Sequence, residues 1–230
     1  MDIKLYDWGP SPFCLKIRSI LDYKGLAYRR IPALSAYRQF ARRSPVRKVP
    51  ALDVDGTLTL DSTDIAYTLE RLAPNPAIIP TAPRDRALCH TLEEWADESL
   101  YFVGLYYQWL DPEGAPLVAR AFASNLGTRL SLPFFRRRLH AQIVGQGTGR
   151  KPAAMIEADL RRHLDAARDL LLDTPFLLGP TPTLADFAVA AQLVYLSRPP
   201  ASARILAEYP SLDTYLQRIK ALRGTGEPST

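Results

Sequence analysis

The stretch Ser11-Pro12-Phe13-Cys14 decides how the opening of the chain is read, because a strand must give way to a helix there. Before it, Ile3-Lys4-Leu5-Tyr6 alternates apolar and polar side chains as a short strand does, and Gly9-Pro10 breaks the alternation. Serine is a residue whose side chain satisfies the free N–H groups that open a helix, and proline at the first helical position gives up no donor the helix needs. Beyond it, Phe13, Ile17, Ile20 and Leu21 recur at helical spacing as far as Lys24, and Gly25 ends the run. The strand-to-helix junction leaves N–H groups and the positive end of the helix dipole facing any anion that arrives. A thiolate is such an anion.

Working outward, a second strand is expected around Ala27 to Ile31, and the polar segment Ser35 to Arg43 reads as an irregular helix. Val49 to Val54 and Thr57 to Leu60 read as two strands joined by the hairpin turn Asp55-Gly56. From Ser62, the apolar positions Ile65, Leu69 and Leu72 step by four and three, which predicts another helix. The order is βαβαββα. Four prolines between Pro74 and Pro83, without periodicity, mark a linker. Everything later is helical in character: Arg84 to about Trp109, a Pro/Gly-rich interruption at 111 to 116, Gly127 to Ile143, a flexible loop at Gly145 to Gly149, then a long helix over 153 to 172. That last helix should face inward with Met155, Leu160, Leu164, Ala167 and Leu171. Thr183-Leu184-Ala185-Asp186 opens a further apolar run as a reciprocal cap, a structural feature without chemistry. The expected fold class is α/β plus all-α, with domains at 1–76 and 84–223, a linker at 77–83 and a flexible tail at 224–230.

A chain of 230 residues with 47% hydrophobic and 23% charged residues has the balance of an ordinary globular protein. The net charge of +5 invites a search for a nucleic-acid surface, and the densest cluster is Arg136-Arg137-Arg138, with Arg129 nearby and Arg42, Arg43, Arg47 and Lys48 upstream. Three successive helical side chains splay around the axis and cannot all enter one groove, so the cluster reads as solvated surface and no nucleic-acid partner is expected. Two cysteines, Cys14 and Cys89, make no disulfide framework and fit a reducing compartment. No apolar run of about 18 residues offers a membrane span, and a cytoplasmic location is expected.

With that order of elements and SPFC at its first helix, the N-terminal segment resembles the thioredoxin-like half of glutathione transferases and glutaredoxins. Three further features match in order and spacing: Lys48-Val49-Pro50 resembles the cis-proline segment, Asp61-Ser62 the γ-glutamyl-binding pair, and Thr183 to Asp186 the C-terminal capping box. The resemblance implies that glutathione is the co-substrate and that no metal is needed. It also implies roles: Val49 pairs its backbone with the cysteine of glutathione beside a cis bond to Pro50, Asp61 and Ser62 hold the γ-glutamyl end, Lys48 meets the glycyl carboxylate, and Ser11 faces the sulfur.

Ser11 suits a donor better than a nucleophile. Lowering a thiol pKa by two units needs about 2.7 kcal/mol of preference for the thiolate. A hydrogen bond to a charged group gives roughly 1.5–3 kcal/mol and a helix terminus roughly 0.3–1. Cys14 stands where a resolving cysteine stands in CPFC motifs, but with serine first a dithiol mechanism is excluded; it reads as a small core residue, with a mixed disulfide open to it only if accessible. Tyr6 is the second candidate hydroxyl, because some relatives use a tyrosine ending the first strand, although its place in the alternation suggests packing. Trp95, Tyr101, Phe102, Tyr106, Tyr107 and Trp109 lie where the family builds its site for a hydrophobic co-substrate, and Tyr106 and Tyr107 cannot both be buried on one stripe. His90, His140 and His163 have no metal-ligand spacing.

The stretch from Asp111 to Lys151, with Gly-Thr-Gly-Arg before the long helix, is similar to the metaxin-like and failed-axon-connections-like branch, whose members keep the fold without assured activity. Two readings follow: an enzyme that joins glutathione to a small apolar electrophile or reduces one with it, a transferase of detoxification type; or a non-catalytic binding or scaffolding module. The resemblance also implies a homodimer.

Overall fold

The computed structural model of the chain describes residues 1–33, 48–122 and 126–222, the side chains of 121–129 excepted. The expected helix over Ser35 to Arg43, the basic residues Arg42, Arg43 and Arg47, and the tail at 224–230 lie outside the described residues.

The first half is a four-stranded sheet with helices α1 (Pro12–Tyr23) and α2 (Ser62–Leu72). The strands are β1 (Ile3–Asp7), β2 (Arg29–Pro32), β3 (Ala51–Val54) and β4 (Thr57–Leu60), in the order β2-β1-β3-β4. β2 runs parallel to β1, while β3 and β4 run antiparallel to their neighbours. Local chemistry explains the boundaries. Gly25 ends α1 at φ +63, and the β3–β4 turn has positive φ at both Asp55 (49°) and Gly56 (92°), as a two-residue hairpin with the right strand twist demands.

The second half is helical: α3 (Pro83–Glu94), a π-helical stretch Trp95–Leu100, α4 (Tyr101–Trp109), α5 (Gly114–Phe122), α6 (Leu126–Gln146), a 3₁₀ turn Thr148–Arg150, α7 (Ala153–Leu170), α8 (Leu184–Leu196), α9 (Pro200–Leu206) and α10 (Pro210–Ala221). The thioredoxin-like α/β half followed by a helical half is the fold class that the sequence predicts. α8 is apolar almost all round and buried almost throughout, as a central helix must be. It packs on α1, so Leu5, Ile17 and Ile20 share one continuous core with Leu160, Phe187 and Tyr215. The proline-rich segment also contributes: Ile78 is buried, its N–H bonded to Glu70 and its carbonyl accepting from Leu184.

Several boundaries differ from expectation. The interruption at 111 to 116 is shorter, because α5 begins at Gly114, and Pro116 sits in its first turn where a missing N–H is harmless. Gly114 is required there: a Cβ would stand 1.8 Å from the Tyr107 carbonyl oxygen. The loop at Gly145 to Gly149 is mostly ordered structure, the end of α6 followed by the 3₁₀ turn, with Gly147 at φ +120 between them. Met155 is exposed and Ile156 is buried in its place, since Ile156, Leu160, Leu164 and Ala167 are the residues that stack on one helical face. The Thr183–Asp186 box forms with both of its reciprocal bonds.

Candidate functional site at one edge of the sheet

Strand register assembles the site. Tyr6 pairs with Ala51 and Ala51 with Leu60, so the end of β1, the start of β3 and the end of β4 lie at the same edge. The segments that continue from those ends are the Trp8–Ser11 turn, Val49-Pro50 and Asp61-Ser62. The predicted residues, scattered over 52 positions from Ser11 to Ser62, are therefore brought to one edge by pairing alone.

Each segment has a distinct local geometry. Ser11 caps α1: its Oγ accepts from the Cys14 N–H at 3.3 Å, which leaves its own proton to donate. Its N–H is bonded to the Trp8 carbonyl at 2.9 Å, and the residue is 6% exposed. The Val49–Pro50 bond is cis, with Pro50 buried, Val49 half-buried and Lys48 exposed. Asp61 caps α2, accepting from the Thr63 N–H at 2.9 Å, and does so at φ 70°, an uncommon conformation for a residue other than glycine. Backbone strain of this kind concentrates where a site is built. Two helix N-termini, of α1 and α2, thus open at the same edge, and both favour anions.

The remaining predicted residues separate by burial. Cys14 has no exposed surface, accepts from the Trp8 N–H at 3.4 Å, and burial pushes its thiol up to about 12, with the bonds from Trp8 and Ser11 offsetting only part of that. Burial also raises the Cys89 thiol. Neither is a reactive thiolate. Tyr6 lies in a small cluster with Ala51, Ile31, Val49 and Leu60, whereas Leu5 points the other way into the main core. Of the adjacent pair, Tyr107 is buried and Tyr106 half-buried against it in an edge-to-face contact.

Beside the SPFC turn stands an aromatic wall that the sequence showed only in part. Phe13 meets Tyr101 edge-on at 4.6 Å, Tyr101 lies 6.4 Å from Tyr195, and Trp8 packs on the same cluster. Arg198 covers the Tyr195 ring at 5.6 Å and donates to the Pro10 carbonyl at 2.6 Å. Tyr195 and Arg198 escape sequence reading because they come from the far end of α8 and just beyond it. Gly104 makes room for this wall, since a Cβ there would stand 2.8 Å from the Tyr195 ring.

Sequence reasoning also missed a buried ionic cluster beneath the start of α2. Lys16 is fully buried; its Nζ is paired with Glu93, bonded to Asp97 at 2.7 Å and donates to the Ser62 hydroxyl at 3.3 Å. Thr63 donates to Glu93 at 2.6 Å. A lysine one helical turn from Ile20, within the apolar stripe, was the signal available. His163 is half-buried, its Nδ1 accepting from Trp95 at 3.0 Å and its Nε2 3.2 Å from Ser99, and burial draws its pKa down. His90 and His140 are exposed, as are Arg136, Arg137 and Arg138. His90, Glu93 and Glu94 bring ligand-type atoms within 4.8 Å of one another, but one Glu93 oxygen is committed to Lys16 and Thr63. A cavity of about 710 Å³ opens between α1 and the last three helices; it shares Arg198 with the aromatic wall but none of the residues at the sheet edge.

Comparison with known proteins fits this arrangement. Residues 5–77 match the family model described as the glutathione S-transferase N-terminal domain, and residues 136–218 match that of the C-terminal domain. The chain belongs to the glutathione transferase-like superfamily. The isoprene-epoxide–glutathione S-transferase of Rhodococcus sp. (strain AD45) is 26% identical over 93% of this chain and 94% of its own length. The maleylacetoacetate isomerase of Rhizobium meliloti is 27% identical over 84% of this chain and 81% of its own. Among solved structures, the β-etherase LigF from Sphingobium sp. strain SYK-6 superposes with a TM-score of 0.70 at 23% identity, covering 96% of each chain. At that identity the superposition speaks for the fold. Among the described residues no helix is long and apolar enough to cross a membrane.

Proposed function

We propose that this superfamily member binds glutathione along the sheet edge and transfers its sulfur to a small apolar electrophile, with Ser11 holding the thiolate. The observation that carries the reading is the meeting of the α1 and α2 N-termini with the Val49-Pro50 segment at one edge. In it, Val49 pairs its backbone with the cysteinyl residue, Asp61 and Ser62 take the γ-glutamyl end, and the exposed Lys48 meets the glycyl carboxylate. The Ser11 proton is donated to sulfur while its oxygen caps α1. Phe13, Tyr101 and Tyr195 form the apolar wall against which the electrophile lies, with the half-buried Tyr106 further along α4. Atoms balance simply: sulfur forms the new bond, and the leaving group departs or an opened epoxide oxygen takes a proton from water.

The test is calorimetry with glutathione followed by a conjugation assay with an epoxide and an aryl halide. Millimolar or tighter binding with turnover that falls in Ser11→Ala supports the reading, and turnover unchanged in Ser11→Ala removes that hydroxyl from it. A second reading, a binding module without turnover, is favoured by one observation: Ser11 is only 6% exposed. Binding without conjugation of any electrophile would decide for it. The protein is proposed to act as a homodimer, as the family resemblance implies, and light scattering reads the mass directly.

A further inference from the structure

The cluster under α2 has an imbalance that a purely structural ion pair does not need. One ammonium, Lys16, faces two carboxylates, Glu93 and Asp97, and all three are buried, while the exposed imidazole of His90 stands 3.9 Å from Glu93 Oε2. Gln192 approaches Asp97 from α8, yet Glu93 Oε2 and Asp97 Oδ1 have no hydrogen-bond partner among the described residues. The proton affinities follow from this stoichiometry. Burial works against the charge of Lys16, but Asp97 and Glu93 together outweigh it and raise its pKa. Burial pushes Asp97 up to about 6, against the pull of Lys16. The two directions look opposed for one ion pair; they agree once the surplus negative charge is assigned to Asp97.

Buried charge left in excess destabilises a fold, and a neutral packing would serve the fold alone better. What the cluster does hold is the first turn of α2: Lys16 and Asp97 grip the Ser62 hydroxyl, and Glu93 grips that of Thr63. Lys16 is also on the helix that Ser11 caps, so a single side chain fixes the two anion-binding N-termini relative to each other. We propose that the Lys16–Glu93–Asp97 cluster is a positioning device for the γ-glutamyl end of glutathione, acting through Ser62 and Thr63 at the start of α2. The inference rests on the glutathione-binding reading above. Lys16, Glu93 and Asp97 are positioning residues, and the distance between the sulfur cradle and the γ-glutamyl cradle is what they set.

The experiment uses the full chain and Asp97→Asn, with glutathione titrated calorimetrically at pH 5, 6 and 7 and steady-state conjugation at pH 7. In that range the carboxyls of the peptide are ionised and its amine and thiol protonated, so its own charge is nearly constant. The expected result is affinity weakened about tenfold in Asp97→Asn, a KM for glutathione raised in parallel, and kcat changed less than threefold. Affinity of the wild type should also fall on acidification through about 6, a dependence absent from Asp97→Asn and retained in His90→Gln, which removes the imidazole that faces Glu93. The melting temperature at pH 8 should be at or above that of the wild type, because the variant matches one ammonium to one carboxylate. Unchanged affinity and KM would overturn the proposal, as would a loss of affinity that merely follows a lowered melting temperature. Should Asp97→Asn not fold, Glu93→Gln restores the same charge balance and must show the same rise in KM. No binding of glutathione by the wild type overturns the parent reading, whereas wild-type binding that the variants share overturns this inference alone.

Discussion

Two buried carboxylate sites, around Asp186 and around Asp97, obey opposite rules. Every lone-pair direction of Asp186 is used: Oδ1 accepts from the Leu177 N–H at 2.8 Å and from Tyr215 at 3.2 Å, Oδ2 from the Thr183 N–H at 2.7 Å and the Thr183 hydroxyl at 2.9 Å. Glu93 and Asp97 each keep an oxygen without a hydrogen-bond partner among the described residues. A saturated buried carboxylate fastens chain segments together and does nothing else. An unsaturated one, beside a strained cap and two helix N-termini, costs stability where binding is proposed, which is how functional sites differ from scaffolds.

Breaking the saturated site should have the largest effect. Asp186→Ala removes a cap and strands several buried donors, and is expected to cost about 3–4 kcal/mol in urea unfolding, with glutathione affinity of the remaining folded protein unaltered. Next comes Ser11→Ala, expected to lower conjugation roughly 10- to 100-fold, the loss of one hydrogen bond to a charged sulfur, and to reduce stability by only about 1 kcal/mol through the lost cap.

The comparison sharpens through pH. The Asp97 carboxyl, raised to about 6 in the folded chain from an ordinary 3.8, binds its proton more tightly folded than unfolded. Its contribution to stability is therefore complete below about 3.8 and lost as pH rises through about 6. The stability of the wild type relative to Asp97→Asn should decline over that window in urea melts, and a flat difference would refute the surplus charge. Tyr215→Phe, which takes one donor from Asp186, is expected to cost about 1 kcal/mol. The smallest effect is at Cys14: iodoacetamide should leave it unmodified in the native protein at pH 8, since it is buried with a thiol at about 12.

Legibility followed the range of the interaction. Ser11-Pro12 as a helix start, Asp55-Gly56 as a turn and Thr183 to Asp186 as a box are local devices, satisfied within a few residues, and their residue types state their geometry. The α/β-then-helical order and the candidate residues of the site were readable for the same reason. Met155 and the loop at Gly145 were misread because periodicity gives a helix without fixing which face its neighbours cover or where it ends.

The sequence by itself determined the order of the elements among the described residues and the candidate set Ser11, Lys48, Val49, Pro50, Asp61 and Ser62. Tertiary structure alone decided that Lys16 faces Glu93 and Asp97, 77 and 81 residues away, and that Arg198 reaches the Pro10 carbonyl across 188. The physical reason is that local hydrogen bonds are fixed by adjacency in the chain. A buried charge is given its partners only when distant helices pack and exclude the water that would otherwise have served them.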